Sequence, residues 1–166
     1  MNLRDWMPIL AMPLMLLIVQ IMAILLAFPM QEAGLAAFED PTSVANPLIF
    51  IGLLLAFTLV MLFLIKKGIK RIIALFIGFS LFLVFIYIFG TLSLLVFGAT
   101  LAGAAATLVL SAAATALLYL YPEWYVIDVL GVLIAAGVAS VFGISLSVIP
   151  VIILLILLAV YDAISV

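Results

Sequence analysis

The sequence predicts an all-α membrane protein, a polytopic bundle of six transmembrane helices. Hydrophobic residues make up 72% of its 166 residues, only 7% are charged, and the mean hydropathy is +1.70. These values lie far outside the range of soluble globular domains. A helix needs roughly 20 mostly apolar residues to cross a bilayer. The chain therefore has room for about six spans with short loops, and we expect one membrane domain covering residues 1–166.

Polar residues divide the chain into these spans. The apolar run 7–28 is longer than the roughly 7–15 residues of a signal-peptide core, so we expect a retained span. Residues 31–46 form a polar segment too long for a tight turn, which we expect at the membrane surface. A further turn is expected around residues 90–92. The predicted spans are 7–28, 46–65, 72–90, 93–118, 125–142 and 148–166.

The charges predict the orientation of the bundle. Lys66, Lys67, Lys70 and Arg71 form the only basic cluster in the sequence. Short loops rich in lysine and arginine normally stay on the cytoplasmic side. Because successive spans alternate in direction, the N terminus is expected in the cytoplasm, and the sixth helix is expected to run from outside to inside.

Small residues predict the packing faces of the fourth and fifth helices, because they let helix backbones approach closely in lipid. Such residues recur every four positions along each predicted helix, and we expect both ridges to face the interior of the bundle. The two ridges are Gly103, Thr107, Ser111 and Thr115 in the fourth span, and Gly131, Ala135, Ala139 and Gly143 in the fifth.

The residue types present exclude several kinds of active site. The sequence has neither cysteine nor histidine, so it cannot supply thiolate catalysis, an HExxH zinc site or a Ser/His pair. The intramembrane serine and zinc proteases are excluded for the same reason. We expect no metal and no organic cofactor.

Two carboxylates, Asp128 and Asp162, fall within predicted spans, where a charge costs at least about 2.5–3.5 kcal/mol on insertion scales. Asp128 lies one turn after Trp124, and we expect it to reach the interface or to cap neighbouring donors. Asp162 lies roughly 18 Å beyond Pro150 along an apolar helix. This spacing places it within the hydrocarbon, unless a nearby helix end brings it to water.

The dipeptide Tyr161-Asp162 resembles the YD motif of the presenilin and signal peptide peptidase family of intramembrane aspartyl proteases. The similarity is strongest over residues 124–166, including Leu130-Gly131 in the fifth span, and the compact loops resemble an archaeal homologue. The resemblance implies that Asp162 is one of two catalytic aspartates and that Tyr161 packs beside the site. The family's second motif, GxGD, is missing from this sequence, as is its PAL motif.

The resemblance therefore implies that the chain is the N-terminal portion of a nine-span protein, inactive without the portion that carries the second aspartate. The implied activity is that of an aspartic endopeptidase that cleaves transmembrane helices of other proteins. The implied location is the archaeal cell membrane. The expected partners are a transmembrane-helix substrate, the C-terminal portion and the lipid bilayer, with no nucleic acid.

Two other functions are compatible with a carboxylate in a membrane helix. The chain could be half of a secondary transporter or channel in which Asp162 binds a proton or cation, although no internal repeat or interrupted helix pair indicates this. It could also be a structural subunit of an assembly, in which case Asp162 should tolerate substitution.

Overall fold

The structure, a computed structural model, describes the backbone of residues 3–165 and the side chains of residues 11–163. Within the described backbone the chain forms six α-helices and no strand, as predicted. Val166, the end of the predicted sixth span, lies outside the described residues. The helices are α1 (Leu3–Glu32), α2 (Ala45–Lys66), α3 (Lys70–Phe97), α4 (Leu101–Leu120), α5 (Trp124–Ser145) and α6 (Val148–Ser165).

Five of these helices are long and apolar enough to cross a bilayer, and the sixth is shorter. In α1 the segment long and apolar enough to span a membrane is Ala11–Glu32, within the residues whose side chains are described. Helices α2 to α5 are candidate spans over their whole lengths. The apolar part of the sixth helix, Val148–Ala163, falls below the length of the others. The chain is a multi-pass integral membrane protein whose sixth helix is its shortest.

The turn between the third and fourth helices differs from the prediction. The sequence predicted it around residues 90–92, but α3 continues to Phe97, and the turn lies at residues 98–100. Gly98 has a positive φ of 64°, and the side chain of Thr100 caps α4 by accepting a hydrogen bond from the Gly103 amide. Glycine just after a helix and threonine just before the next are ordinary end signals. Gly90 instead lies within the helix.

The chain forms two compact units. Unit 1 contains α1, the later part of α3, α4 and most of α5, as residues 1–35 and 80–141. Its interior is built around fully buried side chains of α1 and α3, among them Met30, Phe85 and Ile88.

The α4 ridge faces the interior of unit 1, as predicted. Gly103 and Ser111 are buried, and Thr107 and Thr115 are half-buried. Contrary to the prediction, the α5 ridge does not pack against the described helices, because Gly131, Ala135, Ala139 and Gly143 are all exposed. The buried small residues of α5 are Ala136, Gly137 and Ser140. Small residues occupy two faces of α5, and their spacing alone does not distinguish the packed one.

A hydrogen bond between helices explains which face of α5 is buried. The Ser140 hydroxyl lies 2.7 Å from the Ala23 carbonyl oxygen of α1 and 2.8 Å from the Ala136 carbonyl oxygen of its own helix. A hydroxyl has a single hydrogen, so these two acceptors share it. The buried polar group thereby fixes the rotation of α5 against α1.

Replacing Ser140 with alanine should lower the free energy of unfolding by about 0.6 kcal/mol, and by at most about 1.7 kcal/mol, the range measured for hydrogen bonds between membrane helices. Equilibrium unfolding in mixed micelles would measure the change. Thr58→Val is the control, because the Thr58 hydroxyl donates only to Leu54 of its own helix. Equal losses in the two variants would show that the interhelical bond contributes nothing.

Unit 2 contains residues 36–79 and 142–166. In this unit the loop after α1, residues 36–44, is hydrogen-bonded to the end of α5 and to the turn before α6, and we call this loop the tied loop. The amide of Ala37 donates to the Ser145 hydroxyl at 2.7 Å, and the amide of Ser147 donates to the Pro41 carbonyl at 2.8 Å. The Asn46 side chain donates to the Asp40 carbonyl at 2.7 Å. The loop after α1 and the turn before α6 therefore lie on the same side of the unit, as alternating spans require.

Candidate functional site

Asp162 lies near the C-terminal end of α6, three residues before the helix ends at Ser165. The buried residues of α6 lie in its first half, at Pro150 and Leu154. From Ala159 to Ala163 every side chain is exposed, including that of Asp162. Within the described chain, the second half of α6 therefore presents Asp162 on an uncovered surface.

The position of Asp162 along α6 can be compared with the neighbouring helix α2, against which α6 packs. Both helices start from the tied loop of unit 2 and run in the same direction. At a rise of 1.5 Å per residue, α2 extends about 32 Å from Ala45 to Lys66, but Asp162 lies only about 21 Å from Val148. The carboxylate is therefore roughly 10 Å short of the level of Lys66.

The basic residues of the α2–α3 turn mark that level. Gly68 lets the chain turn there with a φ of 69°, and Lys66, Lys67, Lys70 and Arg71 are all exposed. The Lys67 ammonium lies 4.5 Å from the centre of the Phe63 ring. Lysine and arginine of short loops lie at the membrane surface. Along the helices, Asp162 is about two helical turns short of that level.

Asp162 has no other carboxylate beside it in the helices of its unit. The remaining acidic residues of unit 2, Glu39 and Asp40, belong to the loop at the opposite end of α2 and α6. There, hydrogen bonds from the Thr42 hydroxyl and amide hold the pKa of the exposed Asp40 carboxyl below its usual value. The described part of unit 2 thus supplies one carboxylate within a predicted span.

Tyr161, the other residue of the YD motif, is 37% exposed. Neighbouring residues on a helix point about 100° apart. Its ring therefore points to a different side of α6 from the carboxylate. Residues 11–163 contain no group of three or more His, Cys, Asp or Glu side chains able to hold a metal ion.

Asp128 lies in unit 1, in the second turn of α5, and is exposed. It lines a groove of about 430 Å³ between α5 and the first half of α1. The sequence indicated that Asp128 lies near the membrane boundary. The groove had no signal in the sequence, because it depends on how α1 and α5 pack against each other.

Known proteins resemble this chain in sequence and in structure. A family model described as signal-peptide peptidase, presenilin aspartyl protease matches residues 13–166. A comparison with curated proteins gives no match.

Two solved structures are similar over almost the whole chain. Each is described as a presenilin family intramembrane aspartate protease, one in space group C222 and one in P2. The first is 67% identical with a TM-score of 0.82, and the match covers 96% of this chain. The second is 70% identical with a TM-score of 0.86, and the match covers 97% of this chain.

The chain spans 64% of the length of each solved structure. The resemblance carried by Tyr161-Asp162 is thereby confirmed at the level of the family. With the family model matching residues 13–166 and two solved structures about two thirds identical, this chain belongs to the signal-peptide peptidase and presenilin family of aspartyl proteases.

Proposed function

We propose that this chain is the N-terminal portion of a nine-span intramembrane aspartic endopeptidase and that Asp162 is the first of its two catalytic aspartates. The proposal is supported by the YD motif in a member of this family and by the length of α6, along which Asp162 is reached about 10 Å earlier than Lys66 is reached along the neighbouring helix α2. Because an ionised carboxylate is costly within a membrane span, one that is present is a functional candidate.

Hydrolysis by this route needs a pair of carboxylates. One, ionised, takes a proton from water, while the other, protonated, polarises the scissile carbonyl. Two carboxylates a few ångströms apart cannot both ionise cheaply, so the pair shares one proton. Asp162 supplies one member. The second belongs to a GxGD motif in the C-terminal portion, which is expected to cover the uncovered half of α6.

The orientation follows from the basic turn between α2 and α3, which we place in the cytoplasm. The N terminus is then cytoplasmic, and Asp162 lies toward the cytoplasmic side of the membrane, where water reaches it. The substrate is a transmembrane helix of another protein, unwound locally because an intact helix occupies its own carbonyls with hydrogen bonds. Tyr161 packs beside the site, and the membrane is that of an archaeal cell.

Proteoliposomes test the proposal directly. The full-length protein should cleave a labelled single-span substrate within its membrane segment. Residues 1–166 alone should not cleave it, and coexpression with the C-terminal portion should restore cleavage. Mass spectrometry of the products would locate the cut. Proton or cation flux through the liposomes without any cleavage would favour the transporter alternative and reject the proposal.

A further inference from the structure

Two consecutive carbonyl groups of the tied loop join the starts of α2 and α6. The Asp40 carbonyl accepts a hydrogen bond of 2.7 Å from the Asn46 side chain, in the first turn of α2. The Pro41 carbonyl accepts one of 2.8 Å from the Ser147 amide, directly before α6. Because the two acceptors are neighbours in the chain, the loop relates the start of α6 to the start of α2.

The bond to Asp40 accounts for the burial of Asn46. This residue is only 6% exposed, although asparagine is mostly found on protein surfaces. The next residue, Pro47, is fully buried, and so is Pro150 in the first turn of α6. Proline fits the first turn of a helix, where its missing N–H is not needed, and its ring fixes φ. Both helices therefore start from packed, stiff turns, and the Asn46 amide connects one of them to the loop.

The described structure holds α6 at its start and leaves its far end uncovered. The buried residues Pro150 and Leu154 belong to the first two turns, and the side chains from Ala159 to Ala163 are exposed. Asp162 lies about 21 Å from Val148 along the helix axis. A change of about 5° in the direction of α6 at its start would therefore displace Asp162 by about 2 Å.

A displacement of this size is large for a group that reacts as one of a pair. Misplacing a reacting group by about 1 Å can lower a rate by about 10²-fold, even when the altered residue lies far from the reacting atoms. Asn46 lies at the opposite end of unit 2 from Asp162, so any effect on the carboxylate is transmitted through α6.

We propose that Asn46 is a positioning residue for Asp162. By holding the Asp40–Pro41 segment, its side-chain amide sets the direction in which α6 leaves the tied loop, and thereby the place of the carboxylate. The consequence for catalysis rests on the proposed protease function. The effect on the direction of α6 is a property of unit 2 and is measured without any cleavage.

Asn46→Leu in the full-length protein tests this role. Leucine has the same branched shape, but it cannot donate to the Asp40 carbonyl. With a single-span substrate in proteoliposomes, kcat should fall by about 10–100-fold, while KM should stay within about twofold of the wild-type value. Thr42→Val is the matched control. It removes a hydrogen bond of the same loop, from the Thr42 hydroxyl to the exposed Asp40 carboxylate, and should keep the wild-type kcat.

Spin labels report the direction of α6 independently of activity. Residues 1–166 contain no cysteine, so labels at Leu59→Cys in α2 and Val160→Cys in α6 are the only ones in this portion. Both positions are exposed in the described structure. Electron paramagnetic resonance should show a distance between the labels that changes by about 2 Å in Asn46→Leu. The distance should stay at the wild-type value in Thr42→Val.

The two measurements separate this inference from the proposed function. An unchanged label distance in Asn46→Leu would overturn the inference, whether or not kcat falls. A changed distance with wild-type kcat would also overturn it, because Asp162 would then not depend on the direction of α6. A changed distance with no cleavage even by the wild type would reject the proposed function and support the role of Asn46 in directing α6.

Ser145→Ala decides the question if Asn46→Leu does not elute as wild type in size-exclusion chromatography. Ser145 is 1% exposed, and its hydroxyl accepts the hydrogen bond of 2.7 Å from the Ala37 amide of the tied loop. Its removal loosens the same loop with the loss of a single oxygen atom. The label distance should change in this variant too, and an unchanged distance would overturn the inference.

Discussion

Replacing Asp162 with asparagine in the full-length protein should reduce the rate of cleavage of a membrane-helix substrate by about 10²–10⁴-fold, the range attributed to a positioned acid or base. Asparagine has nearly the same shape as aspartate but can neither accept nor release a proton. The exposed position of Asp162, beyond the buried first half of α6, means that the substitution should leave the packing of unit 2 intact.

Two measurements separate lost chemistry from lost folding. The Asp162→Asn protein should elute as wild type in size-exclusion chromatography and should unfold at the same temperature. Glu39→Gln removes a carboxylate from the loop at the far end of α6 and should keep wild-type cleavage. Cleavage by Asp162→Asn at the wild-type rate would mean that Asp162 is not part of the reacting pair.

Replacing Gly137 with alanine should cause the largest loss of stability predicted for a one-carbon change in this chain. A Cβ atom at Gly137 would lie 2.5 Å from both Cγ1 and Cδ1 of Ile88, which is fully buried in α3. Because Ile88 is fully buried, its side chain must change rotamer within the packed interior, or α5 or α3 must shift. Overpacking of this kind costs about 1–3 kcal/mol.

Gly143→Ala is the matched control for this prediction. Gly143 belongs to the same helix, and a Cβ atom there would contact nothing within 4 Å. Both substitutions gain the higher helix propensity of alanine, about 1 kcal/mol. The difference between their free energies of unfolding therefore isolates the contact with Ile88. A difference near zero would mean that α3 and α5 are not packed this closely.

Much of the fold could be predicted from the sequence because apolar runs and polar gaps determine helices in a membrane. The bounds of α2, α5 and α6 agree with the prediction within a few residues. The turn after α3 was misplaced because Gly90 and Thr91 were interpreted as loop residues. In the structure the Thr91 hydroxyl donates to the Tyr87 carbonyl at 2.8 Å, so a polar residue is accommodated inside the helix.

The candidate site was predictable only in part. The YD motif and the length of the apolar run before it identified Asp162, since both are local. Its depth relative to the basic turn required the packing of α6 on α2. The groove beside Asp128 and the buried face of α5 depend on how helices distant in sequence are rotated against one another. Spacing along one helix carries no such information.

The tied loop of unit 2 has a consequence for chain length. Hydrogen bonds at Ala37 and Ser147 fix where α6 starts, so the number of residues between Ser147 and Asp162 determines both the height and the direction of the carboxylate. One added residue would lift Asp162 by about 1.5 Å and rotate it by about 100°. A change of length within the first four turns of α6 is thus incompatible with the proposed position of the carboxylate.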